Sequence, residues 1–427
     1  MKILLTGATG FIGQSVLSAL LARGDTVLAC GRRANGLLVS SPQLIPVALD
    51  FSRCLSVEDW LPHLSGVDAV INCVGIIAET GTQRFSVLHH LAPAALFKAA
   101  ELAGVKKVIQ ISALGADEQA TTNYHLSKKA ADDVLRGLNL DWFVLQPSVV
   151  YGAAAQSSAL LHALSALPVQ CLPDGGKQLL QPIDVQDVVA TVCACLLSTS
   201  GKKTLALVGQ DAVSYADLLQ GFRRRLGKSP ALSVSVPLVW LERLTSLSKV
   251  FNEPILSKDN IAMLSRGNSA DSSALSAFLQ HTPHSVQELL NTPATTAERW
   301  YADLYFFKLL LCWVIAFVWL WSGVTSLFFY PHSDSYALLA KTGVTGNFAS
   351  VMLYGLAIMD IGFAVLTLLR YRVGLVMMLQ VSVVLVYSIV VAFCLPEFLV
   401  HPFGALLKNL PFLLCLLMYQ AMAGERS

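Results

Sequence analysis

The chain is poor in charge. Only 14% of its 427 residues are Asp, Glu, Lys or Arg, and the formal net charge is +2. No basic run or stripe is present, which excludes the electrostatic footprint of a nucleic-acid binder. Its nine cysteines include no C-x-x-C pair and no metal-ligand spacing, so neither a structural zinc site nor a dithiol centre is expected. They read as reduced, small hydrophobes: Cys193 and Cys195 in an apolar helical stretch, and Cys312, Cys394 and Cys415 in or beside long apolar segments. No secretory leader is expected at the start, because the apolar run after Lys2 is broken at Gly7. An acidic residue is also missing where the second strand ends, at Cys30-Gly31-Arg32-Arg33.

What is present at the start is Thr6-Gly-Ala-Thr-Gly-Phe-Ile-Gly13, directly after the apolar run Ile3-Leu4-Leu5. This is a glycine-rich turn from a strand into the helix 11–23. Glycine permits positive φ and leaves room for close approach to a bulky group. The helix N-terminus then offers N–H groups and a positive dipole end to an anion such as a pyrophosphate. The candidates for that contact are Gly7, Thr9, Gly10, Phe11, Ile12 and Gly13. Arg32 and Arg33 suit a ribose 2′-phosphate, which favours NADP(H) over NAD(H). Asp50, after a strand at 44–49, is placed to reach the adenine.

Further strands are predicted at 26–30, 69–73, 108–111 and 142–145, with helices at 85–103 and 124–138. This alternation predicts an α/β fold: a Rossmann-type, doubly wound parallel sheet over residues 1–150. Asn72, Val74 and Gly75 end the fourth strand at the carboxyl edge, where ligands bind. Residues 151–298 are less regular and read as a smaller substrate lobe and linker. Helices are expected there from about 185 to 197 and from 214 to 226.

Beyond Trp300 the chain is almost continuously apolar, and mean hydropathy over the whole chain reaches +0.58. Four transmembrane spans are expected, at about 309–329, 346–369, 373–395 and 403–423, forming a four-helix bundle over 299–427. The last span requires Lys408 to snorkel. Trp319, Trp321, Tyr330 and Tyr371 are expected as interfacial anchors. Arg370 and Arg372 in the second loop favour a cytoplasmic N-terminal domain and a place in the inner (plasma) membrane.

Tyr124 and Lys128 stand at i and i+4 on one helix face. A phenol is too weak a base near neutrality, and a neighbouring ammonium would bring its pKa down into a useful range. Ser112 ends the fifth strand, where its hydroxyl would face the same crevice and hold a substrate carbonyl.

In combination these motifs resemble the short-chain dehydrogenase/reductase superfamily. More narrowly, they are similar to its atypical group related to the nucleotide-binding accessory subunit of respiratory complex I. The resemblance rests on residues 6–13, 72–75, Ser112, Tyr124/Lys128 and the run 146–152, which includes Pro147. It implies a nicotinamide dinucleotide across the sheet, with Tyr124 as acid/base, Lys128 as its helper and Ser112 beside them. Two positions depart from the pattern. Gln146 stands where relatives usually carry Arg, and His90 stands near the place of an Asn that supports a proton relay.

The C-terminal part resembles the DoxX-like membrane family, on residues 319–323, Asp360, and the runs 401–404 and 408–411. Asp360 is the functional candidate there, with His401 or Lys408 as its partner. The expected function is a membrane-anchored NAD(P)-dependent oxidoreductase acting on a carbonyl or quinone-like substrate, and the anchor suggests a lipophilic one. One alternative is a non-catalytic NADP(H)-binding scaffold or redox sensor of a membrane complex. A second is a nucleotide-sugar epimerase or dehydratase.

Overall fold

The computed structural model describes all residues except 33, 37–40, 80–82, 153–155, 242–257, 401–403, 405 and 424–427. It divides into two compact units, Met1–Ala302 and Asp303–Ser427.

In the first unit, β1 (Lys2–Thr6), β2 (Thr26–Gly31), β3 (Leu44–Ala48), β4 (Ala69–Asn72), β5 (Lys107–Ile111) and β6 (Asp141–Pro147) form one sheet. The order is 3-2-1-4-5-6, and every pairing is parallel. A seventh strand, Lys203–Leu207, adds beside β6. Parallel strands are buried on both faces and therefore read as continuous apolar runs. Ile3 and Leu5 enter one core while Leu4, pointing the other way, enters the second. Helix α1 (Phe11–Ala22) and the helix Val185–Leu197 cover the first face through Val16, Leu17, Leu20, Val188 and Val192. On the second face, α2 (Val57–Trp60) contributes Trp60, α3 (Ala92–Leu102) Leu96 and Phe97, and α4 (Asn123–Arg136) Ala131 and Leu135. Strand order reverses between β1 and β4, and the crevice outside their carboxyl ends is the switch point at which such sheets take ligands.

The sheet is not finished at residue 150. Its seventh strand and a helix of its first face both come from the stretch read as a separate lobe. The Lys203–Leu207 strand is five residues long and only alternately buried, which is a weak signal between loops. The rest of 151–298 holds a core of its own, of Leu172, Leu180, Tyr215, Leu218, Phe222, Val286 and Leu290.

Among the described residues, three helices are long and apolar enough to cross a membrane: Thr296–Phe329, which begins within the first unit, Asn347–Leu368 and Val373–Cys394. Each 22-residue helix is about 33 Å long, enough for a hydrocarbon core. The fourth expected span, 403–423, is not found at that length. Its helix is Asn409–Ala423, 15 residues, and Phe403 lies outside the described residues. The first apolar helix also begins earlier than expected, and a further helix, His332–Lys341, follows it. Gly323 lets the first two helices meet closely, since a Cβ there would lie 2.6 Å from the Ala357 carbonyl oxygen. Inside, Trp319 Nε1 donates to Gln380 Oε1 at 2.8 Å, and Gln380 Nε2 to Thr367 Oγ1 at 2.8 Å. Phe317, Phe328, Ile358, Val386 and Phe393 face outward, as lipid-facing side chains do.

Candidate functional site

The glycine turn is built by contact. Gly7 has φ +72°, and a Cβ on it would lie 2.8 Å from the Cys73 carbonyl carbon and oxygen. On Gly13 a Cβ would lie 2.1 Å from the Gly7 carbonyl oxygen. Only glycine allows the first turn of α1 to press on β1 and on the loop after β4. No side chain caps α1, so its leading amides stay available to an anion. Gly10, at the N-cap, donates to Gly7 O at 2.9 Å. Thr9 leans over the end of β2, near Gly31. Phe11 and Ile12 pack into the first-face core, Phe11 also against Gly152. The cradle therefore fits a dinucleotide pyrophosphate.

Asn72 latches the turn rather than facing open space. It is fully buried, its Oδ1 accepts from Thr6 Oγ1 at 2.6 Å and from Val74 N at 3.2 Å, and its Nδ2 donates to Gln110 Oε1 at 2.7 Å. Pro147 is buried at the end of β6, beside Leu207. Gln146 Nε2 donates to the Ala116 carbonyl at 3.1 Å. Arg32 is exposed at the end of β2 and donates through both Nη atoms to the Gln83 amide oxygen, at 3.0 and 2.7 Å. Arg33 lies outside the described residues. A hydrogen bond from Ser52 holds the Asp50 carboxyl below its usual range, and Arg32 and Arg53 add to that.

Lys128 is buried and donates to Val74 O at 3.2 Å and Ile111 O at 3.1 Å. Burial pushes its pKa down. This corrects the expected effect of Lys128 on Tyr124. The ammonium is engaged by sheet-edge carbonyls, and burial alone raises the Tyr124 phenol to about 12. Ser112 also departs from expectation. It is 3% exposed and donates to Asp132 Oδ2 at 2.5 Å, so its hydroxyl turns into α4 instead of facing the crevice. Asp132 is itself fully buried, and burial raises its carboxyl.

His89, not His90, is the histidine at the site. It is fully buried in a π-helical turn, Ser86–Leu91, that runs into α3. Its Nε2 accepts from Ile76 N at 3.0 Å, which leaves Nδ1 to donate to Ser127 Oγ at 3.0 Å. Ser127 in turn donates to the Tyr124 carbonyl at 2.8 Å. Burial lowers the His89 pKa to about 2, so it stays neutral. Its ring meets that of Tyr124 edge-on at 5.3 Å. Beside them is a cavity of about 130 Å³ lined by Gly115, Asp117, His125, Arg266, Asn268 and Ser269. Arg266 closes one wall through two bonds to the Asp117 carboxylate, at 2.9 and 2.7 Å. His89, Ser127, Asp132 and Arg266 were absent from the sequence reading.

In the second unit Asp360 is buried and accepts from Ser322 Oγ at 2.7 Å. Of its expected partners, Lys408 is exposed, and His401 lies outside the described residues.

These features define an NAD(P)H-binding protein with a membrane-type helical unit. Residues 7–168 match the family described as NAD(P)H-binding, and residues 316–417 match the DoxX-like family. The chain carries an NAD(P)H-binding Rossmann domain of the atypical short-chain dehydrogenase/reductase type, followed by a DoxX-like domain. Among similar proteins is the ceramide reductase of Caulobacter vibrioides, 26% identical over 54% of this chain and 72% of that protein. Another is the mitochondrial NADH dehydrogenase [ubiquinone] 1 alpha subcomplex subunit 9 of Arabidopsis thaliana, 27% identical over 50% of this chain but only 55% of its own length. Of solved structures, UDP-glucuronic acid 4-epimerase of Bacillus cereus, with UDP-glucuronic acid and NAD, aligns with a TM-score of 0.54 at 18% identity. It covers 71% of this chain and all of that one; at this identity the likeness is one of fold.

Proposed function

We propose that the chain is a membrane-anchored NADP(H)-dependent reductase of a carbonyl or quinone-like group, with its N-terminal unit on the cytoplasmic side. The observation that carries this reading is the convergence of the glycine turn, the Val74 carbonyl, Lys128 and Tyr124 on one sheet edge. Gly7, Gly10, Gly13 and the first amides of α1 would hold the pyrophosphate, Arg32 the 2′-phosphate, and Lys128 the nicotinamide ribose. When bound, the nicotinamide supplies the hydride. Tyr124 supplies the proton. Its phenol, held protonated by burial, suits donation to a substrate oxygen better than abstraction from one. Neutral His89 and Ser127 hold the Tyr124 backbone and the 74–76 loop in register. The reductase relative and the apolar helices support a lipophilic substrate.

A second reading is favoured by one observation: Ser112 is committed to Asp132. On that reading the nucleotide is a structural ligand in a membrane complex. The test is the nucleotide that copurifies with detergent-extracted protein, followed by addition of carbonyl and quinone panels. Tyr124→Phe is expected to retain the nucleotide and to lose at least a hundredfold in turnover. Turnover unchanged in Tyr124→Phe refutes the acid role. A nucleotide that no panel member oxidises favours the scaffold.

A further inference from the structure

The membrane-type unit buries an acid that the reductase chemistry does not use. Asp360 sits well inside the helix Asn347–Leu368, with about 20 Å of helix before it and about 12 Å after it. It is 4% exposed. Ser322 Oγ donates to its Oδ2 at 2.7 Å, and Oδ1 has no hydrogen-bond partner among the described residues. Thr325, one turn beyond Ser322, likewise buries a hydroxyl oxygen without a partner among the described residues. The close crossing at Gly323 brings Ser322 to the acid.

Among the described residues, no cationic side chain pairs with Asp360. The apolar stretches 309–329, 373–394 and 409–423 contain no Lys, Arg, His, Asp or Glu. The Tyr387 phenol, from the helix Val373–Cys394, faces Asp360. An unpaired carboxylate buried in such surroundings costs several kcal/mol. One hydroxyl donor returns only about 1.5–3 kcal/mol. Taking up a proton removes the charge outright.

We propose that Asp360 is a proton-binding site inside the bundle, whose ligand is the hydrogen ion, with Ser322 as its positioning residue. Uptake converts the carboxylate and a hydronium ion into the carboxylic acid and water. Each uptake or release changes the charge within the bundle by one unit.

The test is dicyclohexylcarbodiimide labelling of the full chain in lipid vesicles across a pH series, with adducts mapped by peptide mass spectrometry. The protonated acid adds its proton to a carbodiimide nitrogen and its oxygen to the central carbon. The resulting O-acylisourea rearranges to a stable N-acylurea. The expected result is an adduct on Asp360 whose yield falls as pH rises, with a midpoint well above the ordinary carboxyl value of about 4. Asp360→Asn removes the adduct. Ser322→Ala retains it and moves the midpoint upward, because the hydroxyl no longer favours the ionised form. Mapping on the unmodified chain and on Ser322→Ala keeps the test decisive if Asp360→Asn does not fold. Three results overturn the proposal: no Asp360 adduct at any pH, a midpoint in the ordinary carboxyl range, or labelling blocked by sodium ions and insensitive to pH. Nucleotide binding is not part of the readout, so the outcome is independent of the reductase reading.

Discussion

Replacing Gly7 by Ala separates backbone strain from contact, because Gly24 provides a matched control. Both glycines have φ in the left-handed region, +72° and +82°. An alanine in that region costs about 1–2 kcal/mol, of which a stiffer unfolded chain returns about 0.5 kcal/mol. That net cost is common to the two variants. They differ in surroundings. A Cβ on Gly24 meets nothing within 4 Å, whereas on Gly7 it lies 2.8 Å from Cys73 C and O and 2.9 Å from Val74 N. Ordinary contact begins near 3.4 Å, so the 73–74 backbone must move by about 0.6 Å. That backbone is tied down by Asn72 Oδ1 on Val74 N and by Lys128 on Val74 O. Overpacking against such a segment costs about 1–3 kcal/mol more. The expected loss is thus about 2–4 kcal/mol for Gly7→Ala against about 1 kcal/mol for Gly24→Ala. Thermal unfolding of the detergent-solubilised chain reads this difference. NADPH fluorescence titration should show affinity weakened at least tenfold in Gly7→Ala and unchanged in Gly24→Ala. Equal destabilisation with equal nucleotide affinity would refute the view that the turn is defined by its contact with the 73–74 backbone.

Lys107 is buried and donates to the carbonyls of Cys195, Leu196 and Ser198 at 2.8, 3.1 and 2.6 Å, capping the helix Val185–Leu197. Lys107→Met should destabilise the first unit by about 3 kcal/mol, and an unchanged melting temperature would remove that capping role. His284 pairs through Nδ1 with buried Asp187 at 2.9 Å, and this hydrogen bond raises its pKa. The pair's stabilisation is full below the ordinary His value of about 6.5 and fades as pH rises through the higher folded value. Melting temperature should decline across that window, and His284→Ala should flatten the decline; an identical slope in the variant sinks the assignment. Ser112→Ala should reduce turnover by less than about tenfold, since the hydroxyl is committed to Asp132. A donor to the reacting oxygen would cost about a hundredfold or more, so a loss of that size in single-turnover kinetics would return Ser112 to the substrate.

The outline of the first unit was legible because parallel strands advertise themselves as apolar runs, and because Gly7 and Gly13 have no substitute where backbones come this close. The strand Lys203–Leu207 was not, since an edge strand of five residues needs only alternate burial and looks like its neighbouring loops. At the site, sequence spacing located Tyr124 and Lys128 on one helix face but could not show where each side chain ends. Lys128 reaches past the phenol to the Val74 and Ile111 carbonyls. Ser112 finds Asp132, which sits one turn beyond Lys128 on α4 and whose role depends on tertiary contact alone.

The histidine pair shows the limit most clearly. The family pattern points to His90, whereas a regular helix advances about 100° per residue and places His89, three residues before buried Ala92 and seven before buried Leu96, on the inward face. His89 lies in the π-helical turn Ser86–Leu91 and is fully buried, while His90 is partly exposed. Nothing in the periodicity announces such a turn, and turns of this kind concentrate at functional sites. His89 accepts at Nε2 from Ile76 N and donates from Nδ1 to Ser127, joining the loop after β4 to the helix that carries Tyr124 and Lys128. An imidazole kept neutral by burial can hold both bonds across the physiological pH range, which a charged ring, donating from both nitrogens, cannot. His89 is therefore what joins the nucleotide loop to the Tyr124 helix.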